Sequence, residues 1–371
     1  MKPRILMAGR TRYALPLSPA LARKFDALDA ELDVHVLAAA ERGSRGADPR
    51  FRLVRPLPLL DGPLFYARFP FLVAREVRRV RPDAVLVQGA QETALALVGR
   101  RLARSSARIV LDLHGDPASP TRLYGSAARR LLAPPADRLA RIAVRRADAV
   151  RTLSSFTTDI VRRLGVEPAA EYPAFMDLET FLERPPAPLP SAPSFLFVGV
   201  LERYKAIEVL AAAWRLAASR VPDATVRLVG QGEMTEVPEG LVAEFPGRVR
   251  WTPRLTTPEV AATLDEATAL LLPSRSEGLP RIVVETFCRG RAVIGARAGG
   301  IPDIVVDGVN GLLVAPERAD ALAEAIVRLA GDHALAARLG AGARRDVERW
   351  LATPEEYARR TRELVERVTG G

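Results

Sequence analysis

The chain has 371 residues, 48% of them hydrophobic and 26% charged, with a single cysteine, Cys288, and a net charge of +10. That length and balance fit a globular protein of about two domains, and one cysteine excludes a disulfide framework within the chain. No run approaches the ~20 apolar residues that cross a bilayer, and the start, MKPRILMAGRTRY, has too short an apolar core for a secretory leader, so a reducing, cytoplasmic setting is expected.

The charge is uneven. Residues 1–175 hold 30 basic against 17 acidic side chains, and the remainder 24 against 27. A basic half joined to a near-neutral one suggests an anionic partner for the first half: nucleic acid, anionic lipid or a phosphate-bearing substrate. A general arginine bias is the plain alternative.

In chain order, short apolar runs that read as buried parallel strands are RILMAG (4–9), DVHVLA (33–38), DAVLVQG (83–89), RIVLDLHG (108–115) and DAVRTLS (148–154). Amphipathic helical patterns lie between them. One of these runs over 122–146 and must break or kink at Pro134–Pro135. Another stretch, 56–82, interleaves Phe65, Tyr66, Phe69 and Phe71 with arginines. It suits either a membrane interface or a core helix with a basic outer face. A proline-rich segment at 173–193 reads as a linker between domains at 1–172 and 194–350. The pattern then restarts with strands at 194–200, 224–230, 248–253, 267–273 and 291–296 and helices between several of them, the first from Lys205. A charged helix closes the chain, and 351–371 is expected to cross back to the first domain. Alternating strands and helices in two halves imply an α/β protein with two doubly wound, Rossmann-like domains facing each other. Ligands would then bind beyond the carboxyl ends of the strands, in the cleft.

SEGLPRIVVE (276–285) carries the sharpest signal. A helix starting near Pro280 leaves its first-turn N–H groups and dipole for an anion. Glu277 precedes that start, and Glu285 lies one to two turns inside a helix that Ile282, Val283, Val284 and Phe287 mark as buried. Eight positions span at most ~12 Å. A ligand with phosphates at the helix start and hydroxyls toward each carboxylate fits; so do a dipole-stabilised surface charge for Glu277 and an exposed helix face for Glu285. A glycosidase pair fits poorly, because its carboxylates flank one bond and here a helix start lies between them.

FVGVLERYKAIEVL (197–210) puts Arg203 and Lys205 just past a strand end, where paired cations suit a diphosphate and a solvated loop is the alternative. Lys205 is one of only three lysines. DLHGD (112–116) places His114 past another strand, as a group reaching the cleft or as a structural histidine. Gly299–Gly300 allow close backbone approach before a helix at Pro302. Asp307–Gly308 and Asn310–Gly311 are turn chemistry. No metal-spaced Cys/His cluster appears.

PSRSEGLPRIVVE followed by GGIPDIVVDGVNGLLV resembles the nucleotide-sugar signature of retaining GT-B glycosyltransferases of family 4, the group 1 glycosyl transferases. FVGVLERYK is similar to their phosphate-binding loop, DLHG to their amino-terminal histidine motif, and FMDLETFL (175–182) to the entry into the second domain. The resemblance implies that Glu277 holds donor-sugar hydroxyls and Glu285 the ribose. Lys205 and Arg203 would neutralise the diphosphate, and His114 would contact the sugar near the reacting carbon. Backbone at Gly278–Leu279 would assist, and the base would lie near Trp251–Arg254. His114, Glu277 and Lys205 are thus the expected catalytic residues, and Arg203, Lys205, Glu277, Gly278, Leu279, Glu285 and Arg254 the expected donor-binding ones. No metal or other cofactor is expected.

Three departures stand out. Val200 replaces the usual arginine after the loop glycine, Ala206 replaces the usual glycine after the lysine, and GRTRYALP (9–16) replaces a glycine-rich first loop.

The expected function is transfer of a hexose, from GDP-mannose or a UDP-hexose, to a lipid-linked or other anionic glycan acceptor in cell-envelope or polysaccharide biosynthesis. The basic first domain would touch the inner face of the cytoplasmic membrane. A nucleotide-sugar epimerase or phosphorylase on the same fold is the alternative. Nucleic-acid binding is the distant one, since no motif for it accompanies the charge.

Overall fold

A computed structural model describes residues 2–55, 61–118 and 133–370. In chain order the elements are β1 (Arg4–Tyr13), α1 (Pro19–Glu31), β2 (Asp33–Ala40), β3 (Phe51–Val54), α2 (Asp61–Val80), β4 (Ala84–Gln88), α3 (Ala90–Ala103), β5 (Arg108–Leu113), α4 (Ala133–Arg146), β6 (Ala149–Thr152), α5 (Ser155–Arg163) and β7 (Ala170–Glu171). They continue with α6 (Glu179–Leu182), β8 (Ser194–Val198), a 3₁₀ turn at Arg203–Lys205, α7 (Ile207–Ala217), β9 (Thr225–Val229), α8 (Glu236–Glu244), β10 (Val249–Thr252), α9 (Thr257–Asp265), β11 (Ala269–Leu272), α10 (Arg281–Cys288), β12 (Ala292–Ala296), α11 (Ile301–Ile304), β13 (Gly311–Val314), α12 (Ala319–Gly331), α13 (His333–Asp346), a 3₁₀ turn at Val347–Trp350, and α14 (Pro354–Thr369).

Two compact units result. The described residues of the first are 2–55, 61–118, 133–175 and 352–370; those of the second are 176–351. Each holds one parallel sheet. The first has the order β3-β2-β1-β4-β5-β6-β7 and the second β10-β9-β8-β11-β12-β13. Strand order therefore reverses between β1 and β4 in one sheet and between β8 and β11 in the other, the points where such sheets open toward ligands. Strands β11 and β12 are buried along their whole length, as a sheet covered on both faces demands.

In the first unit, Ile5, Met7, Val34, Val36 and Leu86 face α1 and α14. The opposite face, with Leu6, Leu37, Val85 and Ile109, receives α2 and α3. Helix α14 thus packs in the first unit, where Tyr357 meets Tyr172 and Phe175.

The proline-rich stretch is docked on the second unit. Met176, Leu178 and Phe181 enter its core. The buried Arg289 donates to the carbonyls of Phe181, Arg184 and Pro185, and Arg291 to those of Ala187 and Pro188.

Several expected elements shift. Pro134 and Pro135 fall among the first described residues of α4; residues 119–132 of the expected helix lie outside the described residues. Residues 9–13 extend β1 as strand, with a register irregularity between Ala8 and Arg12. The helix expected from Lys205 begins at Ile207, after one 3₁₀ turn. In α2, Phe65 and Phe69 are core residues and Tyr66 donates to Glu92, so only Phe71 of the four aromatics is exposed; residues 56–60 lie outside the described residues. The i, i+4 spacing of Phe65, Phe69 and Val73 builds the buried stripe, and Phe71 falls off it. Cys288 is buried, and burial pushes its thiol up to about 12.

Candidate functional site

In the second unit, the loops after β8 and β11 lie side by side because those strands pair where the order reverses. After β8 the chain passes Gly199 and turns through Arg203–Lys205. It then enters α7 through Ala206, whose φ of 52° is left-handed. This is the position where a glycine is usual, and the alanine keeps the glycine-like conformation. The turn aims the buried Lys205 across the strand ends, its stem against Gly199, where a Cβ would stand 3.3 Å from Cε.

Lys205 Nζ meets Glu277 Oε1 at 2.6 Å, with about a tenth of each side chain exposed. Glu277 is fixed from behind. Gly300 N donates to its carbonyl at 2.8 Å. Gly299, at φ 57°, leaves no room for a Cβ, which would stand 2.5 Å from both the N and the O of Glu277. The Gly299–Gly300 turn is therefore the backing of the Glu277 loop.

Arg275 ties the two loops together. Its N–H donates to Tyr204 O at 2.7 Å and its guanidinium to Arg203 O, while Glu208 and Glu317 hold the other nitrogens at 2.6 Å each. Arg203 itself is exposed at the same turn.

Helix α10 begins at Arg281, one residue later than expected, so Pro280 is its N-cap and no side chain caps it. Gly278 and Leu279 precede it, half-buried. Glu285 is buried one turn in. Burial raises its carboxyl above the ordinary range, and Arg281, at 2.6 Å, offsets part of that rise. The partner that a buried carboxylate requires is thus a neighbour at i−4. Arg281 is anchored in turn on Asp177 O at 2.8 Å.

Two strands from β8, Trp251 on β10 donates from Nε1 to Gly230 O at 2.9 Å, and Arg254 is exposed on the loop beyond. Gly230 abuts Gly199: a Cβ on it would lie 1.8 Å from Gly199 O. The structure therefore brings Lys205, Glu277, Gly278, Leu279 and the start of α10 together, with Arg203 on the same turn. Arg254 lies farther along the same sheet edge.

His114 belongs to the first unit and follows β5. Its Nε2 lies 3.0 Å from Asp112 Oδ2. The other Asp112 oxygen accepts from buried Arg151 at 2.6 Å, and Arg151 stacks 3.9 Å from the Tyr172 ring centroid and donates to the carbonyls of Tyr172 and Pro173. Burial alone would push Asp112 up, but Arg151 and His114 outweigh it and hold the carboxyl below the ordinary range. Nearby Lys24 is pushed down to about 8 by burial, with Asp112 pulling the other way. Beside them Thr11 donates to Gln88 at 2.6 Å, which fills the place of a glycine-rich loop with a polar strand end.

Sequence reasoning did not single out Arg275, Arg281, Asp112 as a partner of His114, or Arg151. The i, i+4 spacing of Arg281 and Glu285 and the DLH triplet were the available signals. Arg151 gave none.

These features define a GT-B fold, two Rossmann-like units each built on one parallel sheet. Comparison with known proteins agrees. A family described as "Glycosyl transferases group 1" matches residues 192–332, and one described as "Glycosyl transferase 4-like domain" matches residues 11–171. The D-inositol 3-phosphate glycosyltransferase of Pseudarthrobacter chlorophenolicus is 32% identical over 250 residues, 66% of this chain and 52% of that protein. Sucrose-phosphate synthase from Thermosynechococcus elongatus superposes with a TM-score of 0.78 at 21% identity, over 100% of both chains. Anabaena HepE in complex with UDP-glucose gives 0.68 at 18%, over 99% of this chain and 100% of that one. The chain belongs to the group 1, family 4 type of GT-B glycosyltransferases. It spans about half or less of the length of the curated relatives it matches.

Proposed function

We propose that the protein transfers a hexose from a nucleotide-diphosphate sugar, GDP-mannose or a UDP-hexose, to a lipid-linked or other anionic glycan acceptor, retaining the anomeric configuration. The observation that carries this reading is the uncapped start of α10 between Glu277 and Glu285, with Lys205 paired to Glu277 in the loop that leads into it. Its free amides and dipole suit the diphosphate. Lys205, still within reach of Glu277, takes the charge that develops on the leaving phosphate, and this is the main electrostatic contribution. Glu277 accepts donor-sugar hydroxyls, and Glu285, released from Arg281, accepts those of the ribose. Arg203 adds charge at the turn and substitutes for the arginine absent at Val200. The base lies toward Trp251 and Arg254. His114, oriented by Asp112, contacts the sugar near the reacting carbon. With lysine, arginine and a helix start on the diphosphate, no metal is required.

Two comparisons support the substrate classes. A structural neighbour is in complex with UDP-glucose, which favours a nucleotide sugar, and a relative is named for D-inositol 3-phosphate, which favours an anionic acceptor. A role in cell-envelope or polysaccharide biosynthesis is part of the same proposal.

The test is thermal stabilisation by UDP, GDP and ADP and their sugars, with and without EDTA. One base type is expected to raise the melting temperature, unchanged by EDTA, and Glu285→Gln is expected to lose that rise. Because burial raises the Glu285 carboxyl, the amide is also expected to stabilise the ligand-free protein near pH 7, where the ordinary carboxylate is charged. If no nucleotide shifts the melting temperature, the reading fails. The anomeric proton coupling of the first product decides retention.

A further inference from the structure

Helices α2, α3 and α4 form a continuous layer on one face of the first sheet. Gly99 lets α2 and α3 approach closely: a Cβ there would stand 2.7 Å from Pro70 O. Alanines 90 and 94 of α3 meet alanines 140 and 143 of α4. The outer side of this layer carries half of the exposed large hydrophobic side chains among the described residues. Phe71, Val98, Leu102, Leu139 and Ile142, from all three helices, project into solvent, Phe71 with 66% of its surface exposed. Between them stand exposed Arg68, Arg75, Arg101, Arg138, Arg141 and Arg146. Among the described side chains of the three helices the only carboxylates are Glu76 and Glu92, both buried, and the half-buried Asp137. Glu76 is already matched by Arg79 and Arg52.

An exposed helical layer whose outward charges are all arginine, with apolar side chains set singly among them, has the composition of an interfacial surface. The arginines meet lipid phosphates and the apolar tips enter the acyl boundary. A nucleic acid would use the arginines and leave Phe71 and Ile142 in water. We infer that the outer face of α2, α3 and α4 docks on an anionic phospholipid bilayer. The surface is laid out independently of the donor site in the second unit, so this inference stands or falls apart from the transfer reaction.

Flotation of the full chain with phosphatidylcholine vesicles, with and without about a third phosphatidylglycerol, tests it. Binding is expected only to the anionic vesicles, weakened at least about tenfold on going from low to high salt as the charges are screened. Phe71→Glu with Ile142→Glu, and separately Arg138→Glu with Arg141→Glu, are expected to abolish it. Arg359→Glu, on α14 across the sheet, is expected to retain it. All of these variants should keep the wild-type melting temperature and its shift with nucleotide, which reads the donor site separately. Absence of binding at low salt overturns the inference. So does binding that survives both variants, or binding equally strong to neutral vesicles. Retention on heparin that the Phe71→Glu pair leaves unchanged, without vesicle binding, overturns it in favour of a polyanion surface.

Discussion

The pair Lys205–Glu277 can be taken apart one charge at a time. The two groups meet at 2.6 Å with 9% and 11% of their side chains exposed, so each is the main counter-charge of the other in a mostly dry place. Removing one partner of a buried pair costs roughly 3–5 kcal/mol, because the remaining charge is left uncompensated. The residual solvent contact places this pair at the low end, about 3 kcal/mol. Lys205→Met keeps the stem that packs on Gly199, and Glu277→Gln keeps the shape of the carboxylate, so both changes isolate charge from packing. For a unit of this size 1 kcal/mol is worth about 2–4 °C, so each single variant is expected to melt about 6–12 °C lower.

The double variant has no orphaned charge. It is expected to lose well under the cost of one single, which is a coupling of more than about 3 kcal/mol. Urea denaturation of the four proteins measures this directly. On the proposed reading, activity should behave differently: each single is expected to lower kcat/KM at least about 100-fold, and the double should not recover, because the lysine charge that would meet the leaving phosphate is gone. Additive destabilisation, with coupling under about 0.5 kcal/mol, would show that the two charges do not hold each other. Near-normal turnover in either single variant would remove that residue from the site.

Three further outcomes follow from the same loops and from the first unit. Gly299→Ala adds a Cβ 2.5 Å from the Glu277 backbone at a φ of 57°; it is expected to destabilise by about 2–4 kcal/mol in urea and to depress turnover by displacing Glu277. Ala206→Gly relieves an alanine at φ 52° and is expected to gain up to about 1 kcal/mol with activity unchanged; a loss of stability would show the strain to be absent. Asp112→Asn is expected to destabilise, and the gap from the wild type should depend on pH. The native carboxyl is held below its ordinary 3.8, so its stabilisation is present above that value and lost as pH falls through the lower native one. Denaturation from pH 7 to pH 2 should therefore show the gap closing at the acid end.

Most of the architecture was legible because it rests on local chemistry. Apolar runs ending at Gly199 and Pro273 mark strand ends, while the run ending at Gly9 stops short of a strand that continues to Tyr13, and SEGLP marks a helix start between two carboxylates. Periodicity also sorts Phe65 and Phe69 from Phe71, once the stripe is drawn at i, i+4 rather than counted as composition. What stayed hidden depends on register and on backbone conformation. Asp112 and Arg151 are opposite each other on adjacent parallel strands, yet 39 positions apart, and no local pattern fixes that pairing. Arg275 reads as an ordinary loop arginine, because its partners Tyr204, Glu208 and Glu317 come from three other segments. Ala206 looks like a departure from the family pattern, and only its φ shows that the conformation was kept. The proline-rich stretch looks like a tether because the arginines that hold its carbonyls lie about 100 positions away, Arg289 reaching Phe181 at |i−j| = 108.

In the proposed donor site three of the cations are already matched, while Arg203 is exposed at the turn. Lys205 is matched by Glu277, Arg275 by Glu208 and Glu317, and Arg281 by Glu285, each at 2.6 Å. A bare phosphate or pyrophosphate arriving at the start of α10 would have to share Lys205 with Glu277, setting its own negative charge beside a mostly buried carboxylate. A nucleotide sugar avoids that cost, since it brings hydroxyls to the carboxylates in the same step that brings phosphates to the cations. On the proposed reading, the carboxylates therefore do more than hold two ends of a ligand. By occupying the cations in its absence, they make the site select for a molecule that carries anion and hydroxyl donors at the right separation.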